Sequence, residues 1–90
     1  MLNKQTEKQF MDFFKTKVGT AVQFKIIERT MREKGYTHNR TTIATYMKYL
    51  IKQKKIVNVR TKENYSFYGI PSKEGIRYLA FEKKIVELEK

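Results

Sequence analysis

Between Thr37 and Lys55 the sequence reads THNRTTIATYMKYLIKQKK, and few folds accommodate that stretch. Asn39 is a good N-cap, and helical spacing then places Ile43, Tyr46, Met47, Leu50 and Ile51 on one apolar arc. The opposite arc carries Thr41, Thr45, Lys48 and Lys52, with Thr42 and Tyr49 on its flank. These are hydrogen-bonding and cationic side chains, with no carboxylate among them. A helix over 39–53 would therefore bury one side and offer the other to a polyanion. From Lys34 to Lys62 the chain holds eight basic residues and no acidic one. An ordinary solvated face mixes signs, so this run points to an anionic partner.

The overall charge agrees. Twenty basic residues face nine acidic ones, for a net charge of +11. The excess lies in residues 1–71, with fifteen basic and five acidic side chains, whereas 72–90 is nearly balanced at five and four. Ninety residues suit one domain with a small core. No cysteine is present, so disulfides and thiolate metal sites are excluded, which suits an intracellular, cytoplasmic protein. Lys4, Glu7, Lys8 and Asp12 break up the N-terminal apolar content, which reads as neither signal peptide nor membrane span.

Catalysis finds no support. His38 is the one histidine, and it cannot anchor a zinc cluster alone. The carboxylates make no spaced pair, and no Gly-rich phosphate loop or Ser/Cys–His arrangement is visible. No enzyme activity, cofactor, metal or small-molecule effector is expected.

In chain order, residues 5–17 read as a first helix with Phe10, Phe13, Phe14 and Val18 on one arc, as core or as a dimer contact. Gly19 can end it in a left-handed conformation. Thr20-Ala-Val-Gln23 fits a capping box, opening a second helix that ends near Gly35 with Phe24, Ile27 and Met31 inside. A short turn, Gly35–His38, then leads into helix 39–53, so the pair forms a helix-turn-helix. Residues 56–60 and 65–70 are rich in β-branched and aromatic side chains and read as a β-hairpin turning at 61–64, where Asn64 tolerates positive φ. Tyr65, Phe67 and Tyr68 read as packing residues first and as a base-stacking platform second. Ser72 can cap a last helix through Glu89, in which Tyr78, Phe81, Ile85 and Leu88 fall at heptad a/d spacing.

This order resembles a winged helix-turn-helix transcription regulator: an α+β, mostly helical fold with three helices, a β-hairpin wing and a C-terminal dimerisation helix. Asn39-Arg40-Thr41-Thr42-Ile43 is similar to the opening of many winged-helix recognition helices: a polar cap, Arg, two Ser/Thr, an aliphatic. Tyr68 to Gly75 (YGIPSKEG) is similar to the strand-to-helix passage of multiple-antibiotic-resistance-type and phenolic-acid-repressor-type regulators. Small dimeric winged-helix proteins of archaeal viruses share the size and layout. Lys54-Lys55 and Asn64 depart from the pattern, because family members usually carry Gly near both positions.

The resemblance implies a winged-helix DNA-binding domain over 1–71 and a dimerisation helix over 72–90. Helix 39–53 would enter the major groove of double-stranded DNA, and the 56–70 hairpin would be the wing. Asn39, Arg40, Thr41 and Thr42 would lie at a helix N-terminus suited to phosphate, and Thr45, Lys48 and Tyr49 could reach base edges. Lys52, Lys54, Lys55, Arg60 and Lys62 read as phosphate contacts. Tyr78, Phe81, Ile85 and Leu88 would join two copies into a homodimer on a palindromic site. The expected function is sequence-specific transcriptional regulation. The alternative is a winged helix used as a protein-interaction or assembly module, or as a non-specific nucleic-acid binder.

Overall fold

The computed structural model describes residues 3–88. Its elements run α1 (Lys4–Lys15), β1 (Thr20–Gln23), α2 (Phe24–Glu33), α3 (Arg40–Lys52), β2 (Val57–Arg60), β3 (Ser66–Gly69), β4 (Tyr78–Ala80) and β5 (Ile85–Glu87). This is an α+β fold of three helices and one five-stranded sheet, ordered β2-β3-β1-β4-β5. The outermost residues of the two expected segments, 1, 2, 89 and 90, lie outside the described residues.

Local chemistry sets the helices. The Asn3 side chain accepts hydrogen bonds from the Gln5 and Thr6 N–H groups and so caps α1. Phe10, Phe13 and Phe14 are buried in the chain's own core, which leaves Phe10 and Phe13 no surface for a second copy. Helix α2 ends in a Schellman motif: Gly35, at φ 90°, donates its N–H to the Arg32 carbonyl, and Tyr36 donates to Met31. Asn39 caps α3 by accepting from the Thr42 N–H at 2.8 Å.

Strand β1 was expected to be the first turn of α2, and the structure corrects this. The Thr20…Gln23 spacing mimics a capping box, yet Gln23 makes no capping bond and α2 starts at Phe24. Ala21 and Val22 are both fully buried, on opposite faces, because β1 is the central strand. It pairs antiparallel with β3 (Val22 with Tyr68) and parallel with β4 (Ala21 with Leu79). A strand buried on both faces shows no alternation and hides from pattern reading.

The second correction is larger. Residues 72–88 form no helix. Ser72 and Gly75 exchange backbone hydrogen bonds across a tight turn in which Gly75 sits at φ 88°, and the Ser72 hydroxyl closes that turn instead of capping a helix. The chain then makes the β4–β5 hairpin, with Tyr78, Leu79 and Ala80 opposite Glu87, Val86 and Ile85. The a/d spacing lost to three causes: a left-handed glycine at the start, β-branched Ile85-Val86 at the end, and an open edge of β1 that β4 fills. The strand-to-helix passage read in 68–75 accordingly leads into a strand, and no dimerisation helix exists among the described residues.

The two sheet faces carry separate apolar clusters. The helical face joins Val22 to Phe10, Phe14, Ile27, Met31, Ile43, Met47, Leu50 and Ile56. The other face holds Ala21, Phe67 and Leu79, covered by Val59, Ile76, Phe81 and Leu88. The Phe81 ring stands edge-on to Phe67 at 4.9 Å between centroids.

Gly69 marks the tightest crossing, since a Cβ there would lie 2.3 Å from the Thr20 carbonyl oxygen, which is backbone. Gly69→Ala is therefore expected to cost about 1–3 kcal/mol by overpacking. Urea denaturation should show a lower midpoint with an unchanged slope. A variant as stable as the parent would contradict this packing.

Candidate nucleic-acid interface

The exposed stripe of α3 matches the expected arc: Thr41, Thr45, Lys48 and Lys52 all face solvent. The Thr45 hydroxyl donates to the Thr41 carbonyl at 3.0 Å, so it is the Thr45 methyl that projects unencumbered. Thr42 is half-buried, and Asn39 spends its side-chain oxygen on the cap.

At the start of the stripe, Arg40 is held by an aromatic support. Its guanidinium lies over the Phe24 ring at 5.4 Å, and Phe24 meets Tyr68 edge-on at 6.1 Å. A groove of about 300 Å³ separates this Arg40–Phe24 pair from Asn64 and Tyr65 in the β2–β3 turn. That turn is closed by the Asn64 N–H donating to the Thr61 carbonyl, with Asn64 at φ 72° as its position suggested. Arg60 and Lys62 flank it, both exposed. Sequence reasoning missed Phe24 as a support for Arg40, having placed it on the inner stripe of α2. Only the position of β1 aims Phe24 at α3.

The expected set splits in space. Arg40, Arg60 and Lys62 gather at one end of the sheet, while Lys54 and Lys55 lie beyond the other end of β2. At about 3.3 Å per residue, Arg60 and Lys54 are separated by up to about 20 Å. Lys55 pairs with Glu7 of α1 at 2.5 Å, and this hydrogen bond holds its ammonium above the ordinary lysine range. Tyr49 is half-buried and lines the same α1 groove as Lys55 and Glu7. Tyr49 and Lys55 thus turn toward α1, away from the Thr41–Lys52 stripe.

Ion pairing separates the cations further. Lys8, Arg32, Lys55 and Arg77 have carboxylate partners, and Glu82 takes Arg29 at 2.7 Å and Lys25 at 3.9 Å. The hydrogen bond from Arg29 holds the Glu82 carboxyl below the usual carboxylate range. Among the described residues, Arg40, Lys48, Lys52, Lys54, Arg60 and Lys62 make no ion pair. All six are exposed. Apart from Glu63 in the β2–β3 turn, the 34–65 segment carries no acidic side chain to neutralise them.

Of the four residues expected to join two copies, Phe81 and Leu88 cover the chain's own sheet. Tyr78 and Ile85 remain 39 % and 68 % exposed, on one face of the β4–β5 hairpin. His38 sits half-buried between Tyr36 and Tyr46 in the turn before α3. Phe67 is fully buried, which leaves Tyr65 the exposed aromatic of the three considered for stacking. No helix is long and apolar enough to cross a membrane, and no group of three His, Cys, Asp or Glu side chains stands together, among the described residues.

No protein-family model matches the sequence, and a search of curated proteins gave no significant match. Among solved structures, the ferric uptake regulator Fur of Helicobacter pylori superposes with a TM-score of 0.73 at 18 % identity. The match covers all of this chain and 61 % of the Fur chain, so this protein spans about three-fifths of its neighbour's length. At that identity the likeness establishes a shared fold. The features particular to multiple-antibiotic-resistance-type regulators find no support in it. The three functional metal-binding sites described for Fur are a property of that protein.

Lys54 departs most clearly from an easy backbone. It sits at φ 61°, with its N–H donating to Ile51 and that of Lys55 donating to Leu50, the Schellman geometry that glycine favours. A side chain in this left-handed conformation costs roughly 1 kcal/mol. Lys54→Gly should recover about that amount and raise the melting temperature by several degrees. An unchanged or lowered melting temperature would mean that Lys54 is held there by something other than backbone geometry.

Proposed function

We propose that this chain is a transcription regulator that binds double-stranded DNA sequence-specifically as a homodimer. Helix α3 lies in the major groove, and the β2–β3 hairpin acts as a wing against the backbone. The observation that carries the reading is the set of unpaired cations. Six described cations have a carboxylate partner, and among those without one Arg40, Lys48, Lys52, Arg60 and Lys62 stand together along one helix face and one hairpin turn, in a segment whose one acid is Glu63. A row of cations without counter-charge suits phosphates about as far apart as the side chains that meet them.

Within that reading the roles divide by chemistry. Arg40, stiffened by Phe24, can make a bidentate contact with guanine, and the Thr45 methyl can meet a thymine methyl. Asn39 and Thr42 shape the helix start; Thr41, Lys48 and Lys52 meet base edges or phosphates along the groove. Arg60 and Lys62 meet phosphates at the wing, and Lys54 meets one near the C-terminal end of α3. The fold shared with a ferric uptake regulator supports this reading without assigning a ligand.

Lys48→Ala should weaken binding to all duplexes alike and flatten the slope of log K against log salt by about 1. Thr45→Ala should leave folding intact and relax the preference at one position of a randomised duplex pool, by about 1–3 kcal/mol. If both variants kept the parent's affinity, slope and preference, α3 would not be the reader. Binding with no preference in the parent would instead identify a non-specific nucleic-acid binder.

The dimer is expected to form through the exposed face of the β4–β5 hairpin around Tyr78 and Ile85. Light scattering should return twice the 10.8 kDa chain mass. Ile85→Glu should halve it without unfolding the chain, since Ile85 lies outside both apolar clusters. A parent mass of one chain at micromolar concentration would rule the dimer out.

A further inference from the structure

Strand polarity places a second turn beside the proposed wing. Strand β1 runs antiparallel to β3 and parallel to β4, so the end of β1, the start of β3 and the end of β4 share one edge of the sheet. The β2–β3 turn, the start of α2 and the β4–β5 turn therefore all project from that edge. With neighbouring strands about 4.8 Å apart, the two turns lie three spacings, or about 14 Å, from each other. Between them runs a groove of about 290 Å³, with Tyr65 on the wing side and Phe81, Lys83 and Lys84 on the other.

The β4–β5 turn is built to present charge. Glu82, its one carboxylate, is drawn onto α2 by Arg29 and Lys25, which neutralises it and ties the turn to that helix. Lys84 is seated over the Phe81 ring at 5.2 Å, and Lys83 projects into solvent; neither makes an ion pair among the described residues. The groove floor supplies a second observation. Gln23 lines the groove at 8 % residue exposure, and its side-chain amide, which makes no hydrogen bond among the described residues, is reached by solvent. An accessible amide in a cationic groove can donate to an anion that enters it.

We propose that the β4–β5 turn is a second wing, in which Lys83 and Lys84, with the Gln23 amide between the two turns, grip the sugar–phosphate backbone of the duplex read by α3. This rests on the reading of α3 as a DNA-binding helix. At about 14 Å the two turns meet different phosphates, so the second wing lengthens the footprint instead of duplicating the first. It also gives the near-neutral C-terminal segment a role that net charge conceals: Glu74, Glu82 and Glu87 are used in pairing with Arg29, Lys25 and Arg77, while two lysines stay open at the DNA-facing edge.

The test compares four variants of the full chain, Lys48→Ala among them, on one selected duplex and on unrelated duplexes. Lys83→Ala with Lys84→Ala should flatten the salt slope by about 2, weaken binding alike across sequences, and remove backbone protection from hydroxyl radicals at one flank of the footprint. Lys73→Ala, a charge lost from the Ser72–Gly75 turn at the opposite edge, should change neither. Gln23→Leu should weaken binding while leaving the slope as it is, because the amide carries no charge. An unchanged slope and footprint in the double variant, with Lys48→Ala still weakening binding, would overturn the second wing and leave the α3 reading standing. Equal losses from Lys73→Ala would also overturn it, by showing a diffuse charge effect. If Lys48→Ala had no effect either, both proposals would fall together.

Discussion

Four residues, Thr20–Gln23, hold this molecule together. Strand β1 is hydrogen-bonded on both edges and buried on both faces, so the helical core and the smaller opposite cluster meet through Val22 and Ala21. The Gly19 turn belongs to the same junction. Its N–H donates to Ile70 at the end of β3, and its carbonyl accepts from Arg77 and Tyr78 at the start of β4. Gly69 lets β3 approach β1 closely at the same end. A small domain has little apolar area to spare, and concentrating both clusters on one strand makes each residue of that strand serve two layers.

The candidate site inherits its geometry from that strand. Because β1 passes directly into α2, Phe24 stands at the sheet edge, where it touches Tyr68 on β3 and supports Arg40 on α3. Three elements distant in sequence are thus set against one another by a single aromatic contact chain. The cation–π contact of Arg40 contributes on the order of 0.5–1 kcal/mol at such an exposed site. Its larger effect is to limit where the guanidinium can go before any ligand arrives, which lowers the ordering cost of binding. Lys55 is the opposite case. Committed to Glu7, it would have to break that pair to reach a phosphate, which Lys48 and Lys52 need not do.

What could be read from the sequence follows the range of the interactions involved. Helices α1 and α3 are twelve and thirteen residues long, and their apolar arcs are local features; both lie close to where periodicity puts them, except that α1 stops at Lys15 and leaves Val18, expected on its arc, 51 % exposed beyond it. The β2–β3 hairpin is likewise local, marked by the β-branched residues of β2, the aromatics of β3 and Asn64 between them. Strand β1 has four residues and β4 and β5 three each, too short to show a period, and their existence depends on partners tens of residues away. The spacing of Tyr78, Phe81, Ile85 and Leu88 suits a heptad, yet it equally suits two strands and a turn that bring Phe81 and Leu88 onto one face. At the candidate site, the open stripe on α3 was legible from a run without acids. The Arg40–Phe24 support and the Lys55–Glu7 pair were not, because residues 16 and 48 positions apart are brought together only by the fold.

The direction of the strands also constrains how two copies could share one DNA. Arg40 and the two turns proposed to meet DNA lie at one end of the sheet, along the strand axis. Two copies on a palindrome must point those edges the same way, with the two-fold axis running toward the duplex and the recognition helices about 34 Å apart. Pairing the free edges of β5 as antiparallel strands would set the axis across the sheet and turn the two DNA-facing edges in opposite directions. Such a dimer could not place both α3 helices on one duplex. Packing through the face that carries Tyr78 and Ile85 allows an axis along the strands, and the apolar exposure of Ile85 lies on that face. The edge of β5 is only three residues long and ends in Glu87, features that discourage edge-to-edge pairing. The same hairpin can then serve both roles at once, its turn toward the phosphates and its face toward the second copy.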